Sequence, residues 1–252
     1  MSKKRKILFT VGITISVVAL LLLVGYLIYP YFAPKPAPVM DNSSTVSQSS
    51  EPEVVLVDNP IDFATLQAKN EDVYAWIRIP DTKVDYPILQ SGDKPENFYL
   101  NHNIDGEYEF AGCIYTQKLN SKDFTDPNTV IYGHNMKNGT MFKALHKFRN
   151  KDFFEANKYI YIYTPGHILT YEIYAAYKFD ARHLLYSYNY DDKEVFKEYI
   201  EMTKNPKSTM VNVRSETQVT ENDRIITLST CINDDDYRYL VQGVLINDQL
   251  TK

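Results

Sequence analysis

Three residue types that cooperate in acyl transfer stand at the ends of apolar runs in this sequence. Cys231 closes Ile225-Ile226-Thr227-Leu228-Ser229-Thr230, and the polar stretch Asn233-Asp234-Asp235-Asp236 follows it. A thiol at a strand end is rigidly aimed yet reachable, as a nucleophile must be. His134 ends a second run, Thr129-Val130-Ile131-Tyr132, just past Gly133, which lets the backbone turn sharply. Beside the thiol, an imidazole can protonate a departing amine and deprotonate an incoming one. Arg238 opens the next apolar run, so a hairpin returns its guanidinium beside the sulfur. Its permanent charge and five donors suit a peptide carbonyl or a developing oxyanion. Each residue also has a plainer reading: a histidine after a strand is commonly a packing residue, and a strand-end cysteine a small buried hydrophobe. Residue type alone leaves both readings open.

Holding three such groups together takes a scaffold of short strands. Runs rich in Val, Ile, Tyr and Thr predict strands over 73–79, 84–89, 112–117, 129–132, 159–163, 168–177, 224–230 and 237–246. Pro80-Asp81-Thr82 and Thr164-Pro165-Gly166-His167 read as tight turns within hairpins. A short helix is expected at 60–69 with Asp58 or Asn59 as N-cap, another at 141–148, and a clearer one at 191–204 capped by Asp191 and stopped before Pro206. Many short strands with a few helices favour a closed or nearly closed β-barrel.

Other chemistry-bearing residues are weaker candidates. Cys113 sits in the apolar stretch Ala111-Gly112-Cys113-Ile114-Tyr115 with no basic neighbour, which reads as a buried, unreactive thiol. A Cys113–Cys231 disulfide is the alternative for a domain outside the cell. His102, His146, His167 and His183 belong to no motif and are read as surface or packing residues. The acidic run 233–236 lacks the glycine and distal glutamate of a calcium loop, so no metal site and no cofactor are expected. The tyrosines dense at 159–190 are read as strand packing rather than a carbohydrate-binding face.

The N-terminal region differs from the rest. Residues 7–29 form an uncharged run rich in Leu, Val and Ile, long enough to cross a hydrocarbon layer of about 30 Å. Lys3, Lys4, Arg5 and Lys6 precede it, which orients residues 1–6 to the cytoplasm and everything beyond residue 30 to the outside. A cleaved signal peptide normally has an apolar core of only about 7–15 residues and a small-residue cleavage site, so a retained anchor is expected. Residues 30–53, rich in Pro, Ser and Thr, read as a disordered tether, and 54–252 as the globular part. The net charge of −5 includes the four cations at 3–6, leaving −9 for the rest, which argues against a nucleic-acid partner.

The motifs add to this reading. Thr227-Leu228-Ser229-Thr230-Cys231 resembles the TLxTC signature of the sortases, and Arg238 fits the arginine that follows it there. Tyr132-Gly133-His134-Asn135-Met136, with Thr140-Met141-Phe142, resembles the histidine segment of class B sortases. Asn70 to Gln90, containing Trp76-Ile77-Arg78-Ile79 and Tyr86-Pro87-Ile88, is also similar to that class, so the likeness spans about residues 60–246. One departure is the seven-position interval from Cys231 to Arg238, short for the class.

The resemblance implies a mostly β fold, an eight-stranded barrel with an N-terminal helix and a helix between strands six and seven, preceded here by one transmembrane helix. It implies a cysteine transpeptidase of a Gram-positive cell surface, with Cys231, His134 and Arg238 catalytic. Ser229, Leu100, Leu185 and Tyr186 would line the groove for the peptide. The implied donor is a surface protein or pilin bearing an NPxTN-like or LPxTG-like sorting signal; the acceptor is an amine of a peptidoglycan precursor or a pilin lysine. Two other classes are weighed against it: a cell-wall endopeptidase using the same Cys and His with water, and a noncatalytic surface-binding module in which Cys231 is merely buried.

Overall fold

Nine segments pair into one sheet: β1 (Val73–Arg78), β2 (Asp85–Leu89), β3 (Ile114–Thr116), β4 (Asn128–Tyr132), β5 (Tyr159–Thr164), β6 (His167–Asp180), β7 (Val211–Val213), β8 (Ile225–Ile232) and β9 (Asp234–Leu250). The computed structural model describes residues 56–232 and 234–252. The strand order β5-β1-β2-β3-β4-β8-β9-β6 closes through pairing of β6 with β5, giving a ring of eight. Closure removes sheet edges, which suits a chain with this many short strands. β7 lies outside the ring, paired to β6 at Ala175–Tyr177; three residues are too few to show a period in sequence. The ring is antiparallel except at β2/β3 and β4/β8, which run parallel.

Strands β4, β6 and β8, and β9 over Tyr239–Val244, read as largely apolar runs because both of their faces are covered. Ile131, Ile226, Leu228, Tyr239 and Val241 fill the barrel interior. Their neighbours Val130, Ile225, Leu240 and Val244 face outward and pack beneath a helix over Lys193–Lys204, which buries Phe196, Tyr199 and Ile200. This is the period-two alternation of a sheet with a core on each side. Gln242, fully buried, ties the layers together by donating to Tyr199 Oη at 2.8 Å and Thr227 Oγ1 at 2.9 Å, and accepting from Tyr177 Oη at 3.0 Å. Tyr171, Tyr174, Tyr177 and Tyr199 are buried in these layers, as the packing reading of the tyrosines expects.

The helices correct several sequence expectations. The first, α1, spans Phe63–Lys69 and is capped by Asp62, whose Oδ1 accepts from Thr65 N at 3.0 Å; Asn59 instead accepts from Ile61 N in the turn before it. The expected helix at 141–148 is a 3-10 helix over Phe142–Arg149, and an unforeseen helix, α2 (Lys151–Ala156), follows it. A four-residue helix, α3 (Leu184–Ser187), was also not expected. The helix over Lys193–Lys204, α4, lies between β6 and β7 as expected, but Asp192 rather than Asp191 caps it. Asp234, Asp235 and Asp236 belong to strand β9 rather than to a turn. The apolar run at 7–29 and the tether at 30–53 fall outside the described residues, among which no helix is long and apolar enough to cross a membrane.

Candidate active site

The hairpin of β8 and β9 places Cys231 directly opposite Arg238. Facing residues on one side of an antiparallel pair have Cβ atoms about 4.5–5.5 Å apart, and a register shift between Cys231 and Ile232, which pairs with Asp234, takes up the residues between them. Ser229 and Leu240 form the next pair on the same face, by alternation with the inward Leu228, Tyr239 and Val241. Arg238 Nη1 donates to the carbonyls of Asp235 at 3.0 Å and Tyr237 at 2.9 Å. The guanidinium is thus braced by backbone rather than by the aspartate carboxylates, leaving Nε and Nη2 to meet another acceptor.

His134 arrives by the parallel pairing of β4 with β8, in which Tyr132 lies opposite Ser229 and Gly133 N donates to Ser229 O at 3.2 Å. Gly133 does not take a left-handed conformation; it is small because a Cβ there would lie 2.5 Å from Ile114 Cδ1 and 2.8 Å from the Phe142 ring. His134 Nε2 hydrogen-bonds to Leu100 O at 2.9 Å; a carbonyl only accepts, so Nε2 carries the proton and, in the neutral ring, Nδ1 has the free lone pair. Phe110, itself 63% exposed, stacks on the imidazole with ring centroids 5.1 Å apart. Gly112, at φ +57, packs its backbone against the Leu100 carbonyl, where a Cβ would sit 2.3 Å from Leu100 O and 2.4 Å from Tyr99 O.

One cavity of about 290 Å³ collects Cys231, His134, Arg238, Ser229 and Leu100. Leu185 and Tyr186 do not line it. Residues 179–184 form that wall instead, with Leu185 packed into the outer core and Tyr186 68% exposed, its ring 4.3 Å from that of His183. Sequence reasoning missed Tyr115, Gln117, Tyr132, Thr230 and His183, which also line the cavity. Gln117 Oε1, Tyr132 Oη, Thr230 Oγ1 and both ring nitrogens of His183 are buried without a hydrogen-bond partner among the described residues. Tyr115 feels the site electrically: burial and the neighbouring Cys231 push its hydroxyl up to about 12, against the pull of Arg238. Alternation along β3 and β4 could have flagged Tyr115 and Tyr132; nothing local marks His183.

The two cysteines are both free, which removes the disulfide reading. Cys113 is buried, and burial, with Glu109 and Asp105 nearby, pushes its thiol up to about 12. It stays protonated and inert at neutral pH, whereas Cys231 is partly exposed in the cavity.

The Sortase domain family matches residues 77–246. The chain is 39% identical over 186 residues to sortase B of Listeria monocytogenes, covering 72% of each sequence. It superposes on Clostridium perfringens sortase B with a TM-score of 0.64 at 34% identity, covering 74% of this chain and 100% of that one. A Staphylococcus aureus sortase B–substrate complex gives the same TM-score at 28% identity, over 73% of this chain and 84% of that one. The chain therefore belongs to the sortase family, in its class B, and is a cysteine transpeptidase.

Proposed function

We propose that this enzyme is anchored in the membrane by residues 7–29, with residues 54–252 outside the cell, and transfers a sorting-signal peptide through a thioester on Cys231. The Cys231 thiolate attacks the Thr carbonyl of the signal, and the tetrahedral intermediate collapses with loss of the C-terminal amine, protonated by His134. An acceptor amine, from a peptidoglycan precursor or a pilin lysine, then gives its proton to His134 Nδ1 and displaces the sulfur. Arg238 donates to the oxyanion in both steps. Ser229 and Leu100 line the peptide's path.

The observation that carries this reading is the convergence on one cavity of Cys231 and Arg238 from one hairpin and His134 from a segment distant in sequence.

Mass spectrometry of the full chain incubated with NPxTN-type and LPxTG-type peptides is expected to show a Cys231 thioester with one of them. Added triglycine or hydroxylamine should capture it as a new amide or hydroxamate. If product is released only as the free acid at saturating amine, the endopeptidase reading replaces transfer. For the topology, protease added to intact protoplasts should digest residues 54–252; protection of the domain would reverse the orientation.

A further inference from the structure

Strand β8 outlasts its parallel neighbour. Ser229 O is met by Gly133 N, but β4 has ended at Tyr132 and the chain then turns toward the 3-10 helix over 142–149. Carbonyls two residues apart on a strand point the same way, so Cys231 O faces the side where β4 would have continued and where no β4 amide follows. A histidine fills that place. His146 Nε2 lies 3.1 Å from Cys231 O, reaching it from the 3-10 helix across 85 positions of sequence.

We propose that His146 is a positioning residue for the oxyanion site beside the nucleophile: its Nε2–H replaces the missing ladder bond and clamps the Cys231–Ile232 peptide, so that the Ile232 N–H is aimed as a donor alongside Arg238. The inference rests on Cys231 being the nucleophile. A peptide unit is planar, with its C=O and N–H on opposite edges. Holding Cys231 O on the His146 side turns Ile232 N–H toward β9, the strand that carries Arg238. The clamp matters here because the β8–β9 register shifts between Cys231 and Ile232, leaving that peptide without regular ladder support.

The surroundings keep His146 in the form this role needs. Its ring lies against Tyr239, with centroids 5.4 Å apart, and Nδ1 is buried without a partner. Lys143, Arg149 and Lys178 line the same small cavity, with Asp234 the one carboxylate there. Burial, then Arg149 and Lys143, hold the imidazole down to about 4, against the opposing pull of the Cys231 carbonyl. It is therefore neutral at working pH, and with Nε2–H committed to the carbonyl it cannot trade tautomers without losing that bond.

The test uses the full chain in detergent and compares His146→Ala, His146→Leu and His146→Gln, since a glutamine amide can donate from the Nε2 position. Losing the one hydrogen bond that holds this peptide should slow single-turnover acylation by about tenfold in the Ala and Leu variants. KM for the peptide and the rate of Cys231 alkylation by iodoacetamide, which needs no oxyanion, should stay within about twofold of wild type on the same scale. His146→Gln should recover acylation to within about threefold. His146→Leu fills the ring's volume and carries the test should alanine fail to fold. Wild-type acylation in the Ala or Leu variant, an equal loss in His146→Gln, or alkylation falling in step with acylation would each overturn the positioning role. If wild type forms no adduct on Cys231 at all, the nucleophile assignment falls and this inference with it.

Discussion

Replacing Cys231 with alanine is expected to abolish acyl-enzyme formation, with the rate down by at least about 10,000-fold, while Cys113→Ser keeps most of the activity. The two thiols differ in setting rather than in chemistry. Cys231 opens onto the cavity that holds His134 and Arg238; Cys113 is buried on the β3 side with carboxylates as its nearest charges. A serine at 113 buries a hydroxyl without a partner, so its effect should be on stability, about 1–3 kcal/mol in chemical denaturation. Peptide cleavage by the purified variants, with circular dichroism to confirm folding, decides the matter. A folded Cys113→Ser variant as inactive as Cys231→Ala would place the second thiol in the reaction.

Arg238→Lys is expected to lose nearly as much as Arg238→Ala, each falling about 100- to 1000-fold in single-turnover acylation. The guanidinium already spends Nη1 on the carbonyls of Asp235 and Tyr237, and that bracing sets the orientation of the remaining donors. An ammonium has no rigid fork: it can brace or donate, but not both in a fixed geometry. His134→Ala should fall at least as far, since it removes both the acid and the base. A surface ion pair with the preceding aspartates would be worth only about 0–1 kcal/mol and would leave the rate near wild type. The observed bonds run to backbone carbonyls instead. An Arg238→Lys rate within a few-fold of wild type would therefore remove Arg238 from the oxyanion site and move that role to backbone N–H groups such as that of Ile232.

What was legible in the sequence is what local periodicity and chain adjacency encode. The eight ring strands announce themselves by β-branched and aromatic runs, and the nearness of Cys231 to Arg238 follows from two consecutive strands joined in a hairpin, whereas the register shift between Cys231 and Ile232 that sets them directly opposite has no local signal. The burial of Cys113 could be read from its apolar neighbours. The N-caps were each misplaced by one to four positions, because several adjacent Asp and Asn residues can cap a helix and only the direction of chain entry selects one.

What only the tertiary structure decided lies between segments distant along the chain. The parallel pairing of β4 with β8 brings His134 to the Cys231 cavity, the Leu100 carbonyl sets the protonated nitrogen of His134, and His146 reaches the Cys231 carbonyl. None of these leaves a periodic mark: a backbone carbonyl has no sequence signature, and a histidine on a short 3-10 helix looks the same whether it packs, faces water or donates. Such contacts are selected when the barrel closes and side-chain volumes are fitted on both faces of the sheet, as at Gly112 and Gly133, where no side chain fits. The same closure set residues 179–184 against the cavity, Leu184 opening α3 there, while the next two residues leave it: Leu185 packs into the outer core and Tyr186 is exposed.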